Sequence, residues 1–355
     1  GLGAMLFTSS SVPGMTIEEP LPSAAGGRDY LILRVKMLGN LVQDALELAF
    51  RYLREADFSD TKRIRDLLLE YRNDLDSSLA PAGNQYALSR ASCRTGRSKT
   101  VDEVWNGMSQ ISYIRSVCQG LKSKHKTAAL IDALNEIRSI LVSSGMIINL
   151  TSTPEINETM IGVLGELTAG FSAPVPADTA RGSDLGDLDE LVAEVSGNTA
   201  DGRYLELVSS ALQVGFAAAV IPAPPYGSDD LPVYSVFGQW LSNGALWEKI
   251  RTEGGAYGVF AYPDSLEAIF SFATYRDPSP LRSLEVFYEV LEGAAAKKID
   301  PVQLERTITG CYSREIQPRS PADKGFTSFI RTLYGITDEA RRKRIQRLVS
   351  VTPED

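Results

Sequence analysis

The stretch from Gln239 to Pro278 constrains the fold most, because it joins a helix to two strands through one very short turn. Gly254 and Gly255 predict a left-handed helix end. Only residues 263–267, which begin with a Pro-Asp-Ser turn, separate the strand-like residues 259–262 from residues 268–275, which predicts an antiparallel hairpin. Apolar residues before the turn follow a three-to-four spacing that predicts one amphipathic helix: Val233, Phe237, Trp240, Leu241 and Ile250.

Arg251 and Tyr257 flank this turn, so we expect their side chains to lie near each other beside the sheet. Their side chains could form a polar pair that takes part in a reaction. Alternatively, Arg251 complements the negative end of its helix and Tyr257 packs at a sheet edge. The residues leave both interpretations open. A phosphate cradle is disfavoured, because the glycines follow a helix and the P-loop lysine with its Ser or Thr is missing.

Composition indicates a globular protein of about two domains, since the chain has 355 residues, of which 43% are hydrophobic and 23% charged. No apolar run approaches the roughly 18 residues of a membrane helix, so we predict no membrane span. The formal charge of −9 argues against a general nucleic-acid binder. It would suit an interior that receives basic peptides.

Histidine is the most informative residue type, because the chain has only His125, which lies in a basic segment. A catalytic zinc site needs about three protein ligands, and a Ser/His/Asp triad needs a placed histidine. We therefore predict no metal site within this chain. Cys93, Cys118 and Cys311 are far apart and form no CxxC motif, which favours a reducing compartment, most simply the cytoplasm.

The pattern of elements predicts an α+β fold of two domains, residues 1–170 and 187–355, joined by a linker at 171–186 that is rich in Pro and Gly. We expect the first domain to be a sheet covered by helices. Residues 4–7 are a frayed strand or a cut edge. The other main expected elements are a strand at 30–37, helices at 42–53, 64–75, 84–93, 101–119 and 127–142, and a buried strand at 146–152.

The second domain is expected to open with strands near 191–195 and 214–221, before the helix and hairpin already described. Helices should follow, one beginning after Asp300-Pro301. Near the end, Arg341 to Arg347 carries a basic cluster, which is a solvated helix face or a docking surface for acidic partners. The closing Thr352 to Asp355 is typical of a helix cap, so we expect the chain to be a piece of a longer protein.

Several of these segments together carry a resemblance to a known family. The segments are Leu246 to Gly258, Tyr275 to Pro278, Pro321 to Gly325, Gly83 to Ala87 and Glu103 to Met108. Through them the chain resembles the C-terminal half of the presequence protease and falcilysin branch of the pitrilysin-type zinc metallopeptidases.

The resemblance implies a mitochondrial-processing-peptidase-like metallohydrolase fold, in which two related α+β domains, each a mainly antiparallel sheet covered by helices, form half of a clamshell. These would be the third and fourth domains of the full protease, the fourth truncated at its C-terminal end. Zinc and its HxxEH motif belong to the N-terminal half, which this sequence lacks. The implied partners are that half and unstructured peptides, with neither nucleic acid nor membrane.

By motif position, the resemblance implies that Arg251 and Tyr257 reach across to the metal site as catalytic and substrate-binding residues. Tyr257 would donate its hydroxyl to the scissile carbonyl oxygen, while Arg251 would hold substrate backbone or orient Tyr257. The chain alone should then be inactive. The alternative is a non-catalytic peptide-binding or assembly module of the same superfamily.

Overall fold

The computed structural model describes residues 1–9, 28–171, 205–208, 212–295 and 297–355. Its elements form a mixed α and β architecture with small antiparallel sheets, in agreement with the predicted class. The predicted linker at 171–186 and the predicted strand near 191–195 lie outside the described residues, apart from Phe171. Among the described helices, none combines the length and the apolar character needed to cross a membrane.

Among its described residues, the N-terminal part has two paired antiparallel strands followed by seven α-helices. Strand β1 pairs along its whole length with β2, so that Phe7 lies opposite Tyr30. The elements are β1 (Leu2–Ser9), β2 (Arg28–Val35), α1 (Val42–Glu55), α2 (Thr61–Ser78), α3 (Gly83–Ser92), α4 (Arg97–Asn106), α5 (Met108–Gly120), α6 (Lys124–Ser143) and α7 (Pro154–Leu167). The main core of this part lies between α1 and α7, where Leu46, Phe50 and Leu164 are buried together.

Two predictions for this part were wrong. The helix expected over 101–119 is divided between α4 and α5 at Gly107, which is extended, and the buried Glu103 carboxylate accepts the Ser109 N–H beyond the break. The apolar run at 146–152 forms no strand among the described residues, and Ile147 and Ile148 are exposed. An apolar run alone does not specify a strand, because strands also require a pairing partner.

The C-terminal part is built around a three-stranded antiparallel sheet in the order β3-β5-β4. The predicted hairpin is confirmed, with Gly258 opposite Tyr275 and Asp264 opposite Ile269. The elements are β3 (Ala218–Pro222), α8 (Leu231–Asn243), a π-helical turn (Trp247–Glu253), β4 (Gly258–Asp264), β5 (Ile269–Tyr275), α9 (Pro280–Ala295), α10 (Pro301–Glu315), α11 (Pro321–Leu333) and α12 (Asp338–Val349).

Strand β5 is the centre of the core. Phe270 and Phe272 are almost fully buried, and the Phe272 ring stacks on Phe287 of α9 with 5.1 Å between ring centroids. Helix α8 covers the sheet at close range, because a Cβ at Gly238 would lie only 2.6 Å from the carbonyl oxygen of Ala261. The sheet and the helix therefore hold β4 at a fixed position.

The single helix predicted over 233–250 is interrupted. Helix α8 ends at Asn243, and Gly244 takes φ −112° and ψ −110°, a conformation outside the helical region. The chain then re-enters a helix and widens into the π-helical turn of Trp247–Glu253. Because π-helical turns are rare and often lie at functional sites, this segment is the natural starting point for a site.

The two parts also contact each other. Helix α3 packs on strands β3 and β5, and the Ser98 hydroxyl of α4 donates a hydrogen bond to the Glu267 carboxylate in the β4–β5 turn. Helices α3 and α4 of the N-terminal part therefore contact the β4–β5 hairpin of the C-terminal part. The domain boundary itself stays a prediction.

Candidate functional site

The site begins at the π-helical turn, where Trp247 and Arg251 lie four residues apart. The guanidinium carbon of Arg251 is 4.1 Å from the centroid of the Trp247 ring, close enough for a cation–π interaction. Trp247 is partly exposed, so its ring forms a surface on which the guanidinium rests.

Two glycines reverse the chain after this turn. Gly255 has φ +78°, the left-handed conformation that favours glycine, which confirms the predicted helix end at this residue. The N–H of Gly255 donates to the carbonyl of Arg251 at 3.1 Å, and the N–H of Ala256 donates to the carbonyl of Ile250 at 3.0 Å. Free carbonyls of the helix end are thereby satisfied, and Tyr257 follows only one residue later.

The structure brings Arg251 and Tyr257 together. Nη1 of Arg251 donates to the backbone carbonyl of Tyr257 at 2.8 Å, and its guanidinium carbon lies 5.5 Å from the Tyr257 ring centroid. The backbone N–H of Tyr257 donates to the carbonyl of Tyr275 at 3.0 Å. One end of the hairpin is thus tied both to the π-helical turn and to β5.

The Tyr257 side chain faces solvent, with 65% of the residue exposed. Its ring meets Tyr275 edge to face at 5.9 Å, and no described residue hydrogen-bonds its hydroxyl. The phenol is therefore held by its backbone and by contacts of its ring with Tyr275 and the Arg251 guanidinium, while its O–H can donate to a bound molecule.

Trp247 and Tyr275 are site residues that the sequence reasoning missed. The four-residue spacing of Trp247 and Arg251 was a usable signal, because such pairs face each other on a helical surface. Tyr275 could be identified only through the strand register, which places it opposite Gly258. Asn243 is the last residue of α8, and Glu253 is the last residue of the π-helical turn. Both are therefore close to Arg251 and Tyr257 in the sequence.

A second arginine adds positive charge beside Tyr275. Arg276 has φ +48°, and its guanidinium carbon lies 5.5 Å from the Tyr275 ring centroid. The next residue, Asp277, is buried; its Oδ1 accepts the N–H of Ser279, and its backbone exchanges hydrogen bonds with Gly215. We call Trp247, Arg251, Tyr257, Tyr275 and Arg276 the aromatic–arginine patch.

Metal-ligating residues do not fit a zinc site in the part of the chain that the structure describes. Within those ranges, no three side chains of His, Cys, Asp or Glu are grouped as metal ligands would be. The sole histidine, His125, is exposed near the start of α6. Cys93, Cys118 and Cys311 are buried free thiols, and burial raises the pKa of Cys93 and Cys311. What the aromatic–arginine patch offers to a bound molecule is hydrogen-bond donors and aromatic rings.

Comparison with known families and proteins identifies what the chain as a whole is similar to. Residues 226–355 match the family described as PreP C-terminal domain, and residues 15–117 match the family of segments associated with M16 peptidases of subfamily C. Presequence protease 1, chloroplastic/mitochondrial, of Arabidopsis thaliana is 26% identical over 347 residues, a match that covers 95% of this chain and 30% of that protein. The mitochondrial presequence protease of Saccharomyces cerevisiae is 26% identical, with 89% and 31% covered.

Solved structures show the same fold. Pitrilysin aligns with 99% of this chain and 33% of its own at a TM-score of 0.52 and 16% identity. A conserved protein from Enterococcus faecalis aligns with 100% of this chain and 78% of its own at a TM-score of 0.57 and 11% identity. The chain spans about 30% of the length of the curated relatives named above. By these matches the chain is similar to the presequence protease branch of the pitrilysin-type M16 peptidases.

Proposed function

We propose that this chain is the C-terminal half of a zinc metalloendopeptidase that degrades unfolded oligopeptides in a closed chamber. In this proposal it contributes Arg251 and Tyr257 to a catalytic centre whose zinc is held by the N-terminal half. The observation that carries the proposal is the pair itself: a guanidinium fixed between the Trp247 ring and the Tyr257 carbonyl, beside an exposed phenol with a free hydroxyl.

Tyr257 is proposed to act as an oxyanion donor. As a peptide carbonyl is attacked, negative charge grows on its oxygen, and a fixed O–H directed at that oxygen stabilises the transition state more than the ground state. Neutral phenol is the required form, because only the protonated hydroxyl can donate. Loss of one such donor costs about 2.7–4 kcal/mol in transition-state stabilisation in other enzymes.

Arg251 is proposed to have two tasks. Its Nη1 bond to the Tyr257 carbonyl sets the position of the tyrosine backbone. A guanidinium has five N–H donors, so the others remain able to bind carbonyls of an extended peptide. The Trp247 ring limits the movement of the side chain, which reduces the entropy lost when substrate binds.

We also propose a reducing compartment for the protein. The three free, buried cysteines support it, because the described fold uses none of them in a disulfide. Peptides with basic residues are the proposed substrates, since the chain carries a formal charge of −9.

The experiment compares the 355-residue chain alone, the protein produced together with the sequence encoded upstream of Gly1, and the two segments mixed. The substrate is an unfolded fluorogenic peptide. We expect activity only when both segments are present. Robust cleavage by the chain alone would refute the proposal that the N-terminal half is needed for catalysis. Peptide binding without cleavage by the complete protein would support the non-catalytic module instead.

Arg251→Gln in the complete protein tests the arginine. We expect a large loss of kcat/KM, because both the hold on Tyr257 and the substrate contact are removed. Arg282→Gln is the matched control, since Arg282 is an exposed arginine on α9 that pairs with Glu285 and Glu289. Equal activities of the two variants would remove Arg251 from the site.

A further inference from the structure

A cavity of about 290 Å³ lies between α11, α12 and the turn of the β4–β5 hairpin. Three arginines line it: Arg331 from α11, and Arg341 and Arg344 from α12. The last two belong to the basic cluster of the sequence, which the proposed function does not use. Two neighbouring helices therefore direct guanidinium groups toward one space.

The carboxylates around this cavity do not balance its arginines. Arg344 forms an ion pair with Glu315, which also lines the cavity. Arg341 pairs with Asp338 at 2.7 Å, but the Asp338 side chain is 73% exposed, so water and salt screen that pair. Arg331 has no carboxylate within ion-pair distance among the described residues.

The excess of positive charge also has an effect on Arg331 itself. Burial lowers the pKa of Arg331 below its ordinary value, and the nearby Arg341 and Arg319 lower it further. Arg319 lies beside the same cavity, because its Nη1 donates to the Thr327 hydroxyl in the cavity wall at 2.7 Å. An anion in this space would relieve the repulsion between these guanidinium groups.

Rings and aliphatic side chains form the rest of the wall. Tyr226, Phe326 and Tyr334 contribute rings, and Ile330 and Ile336 contribute aliphatic surface. The volume is at the lower end of the range for ligand pockets, which suits a molecule about the size of one amino acid. Guanidinium groups bind carboxylate and phosphate oxygens through paired N–H donors. A fully hydrated inorganic ion would leave the apolar wall unused.

We propose that this cavity binds a small organic anion, a carboxylate or phosphate borne on an apolar or aromatic group, with Arg331 as its main ligand. Arg341 supplies a second guanidinium, and the rings of Tyr226 and Phe326 contact the apolar group. The C-terminal residue of a peptide and a free aromatic phosphate share this chemistry.

The site is separate from the aromatic–arginine patch. Ser265, in the cavity wall, follows Tyr257 by eight residues of the hairpin, which corresponds to about 26 Å of extended strand. Anion binding therefore does not depend on the proposed catalytic role, and each proposal can fail without the other.

Calorimetric titration of the 355-residue chain tests the inference with three probes: N-acetylphenylalanine, its neutral amide, and phenyl phosphate. We expect the acid to bind at least about tenfold more tightly than the amide, because only the acid forms charge-assisted hydrogen bonds. The affinity should fall as salt is added. Whether the acid or phenyl phosphate binds more tightly identifies the source of the anion.

Arg331→Gln should weaken binding of the preferred anion about tenfold or more, and Arg341→Gln should weaken it less, since that arginine already has a partner. Arg342→Gln is the matched control, because Arg342 is exposed on α12 and does not line the cavity. Circular dichroism confirms the folding of each variant. Equal binding of acid and amide, or equal losses in Arg331→Gln and Arg342→Gln, would overturn the proposal.

Discussion

The two sheets in the described part of the chain differ in how far their side chains are buried. Six of the seven residues of β5 are buried, and the strand lies between two partners under α8 and α9. In β1, by contrast, Leu2, Met5 and Leu6 are exposed, and the main core of that part lies between α1 and α7. The candidate site sits on the buried sheet. Tyr257 and Arg251 are exposed or partly exposed side chains whose backbone is fixed by a rigid core, as a preorganised donor requires.

The largest expected difference between the sheets is in their response to truncation. Phe272→Ala should lower the free energy of unfolding by about 3–5 kcal/mol, because it removes a buried ring stacked on Phe287. Leu6→Ala should change it by only about 0.5 kcal/mol, since that side chain is exposed. Urea denaturation followed by circular dichroism measures both. Equal shifts would remove the contrast between a rigid and a loosely supported sheet.

Glycine substitutions test whether the backbone conformation of the turn beside the site requires glycine for stability. Gly255→Ala should destabilise the protein by about 1–2 kcal/mol, because alanine is strained at φ +78°. Gly293→Ala, in α9 where an added Cβ would meet no other atom within 4 Å, should instead stabilise it by about 0.5–1 kcal/mol. The same denaturation experiment applies. A neutral Gly255→Ala would show that the reversal has room to relax.

One cation–π pair lies in the π-helical turn beside the buried sheet and another involves β2, so the two regions can be compared. Arg251 rests on Trp247 at 4.1 Å, and Arg34 of β2 rests on Phe326 at 4.2 Å. Double-mutant cycles should give about 0.5–1 kcal/mol for the first pair, because the Tyr257 carbonyl also holds Arg251. The coupling in the second pair should be smaller, as Arg34 is exposed. A larger coupling in the second pair would reverse the comparison.

The smallest effect concerns the contact between the two parts. Burial tends to lower the pKa of Lys99, but the Asp264 carboxylate at 2.7 Å outweighs it, so the pKa lies above its ordinary value. A raised pKa in the folded state means that this pair stabilises the protein at pH values below about 10.5, and that the stabilisation is lost as the pH rises further. The wild-type advantage over Lys99→Met should therefore decline in denaturation midpoints measured between about pH 9 and 12. A constant difference would show that the ammonium charge is not involved.

Local sequence signals identified the parts of the fold that depend on neighbouring residues. The hairpin follows from the short spacing of two strand-like runs, and the helix start at Pro301 follows from the capping residue Asp300. The break at Gly107 was missed because the apolar periodicity continues across it, and only the buried Glu103 carboxylate explains it. The strand predicted at 146–152 was wrong because the pairing of a strand with a partner is not a local property of the sequence.

The same distinction applies to the site. The closeness of Arg251 and Tyr257 was predictable, since two glycines at a helix end permit only a tight reversal. The contact of Tyr257 with Tyr275 depends on strand register across the hairpin. The cavity lined by Arg331 depends on how α11 packs beside α12, which no pattern within either helix determines.

The central claim, that Tyr257 donates a hydrogen bond to a developing oxyanion, is tested most directly by the kcat of Tyr257→Phe in the complete protein. The substitution keeps the ring and removes only the hydroxyl, so folding should be unchanged. We predict that kcat falls by about 10²–10³-fold with little change in KM, while Tyr288→Phe, at another exposed tyrosine, stays at the wild-type value. Full activity of Tyr257→Phe would contradict the account.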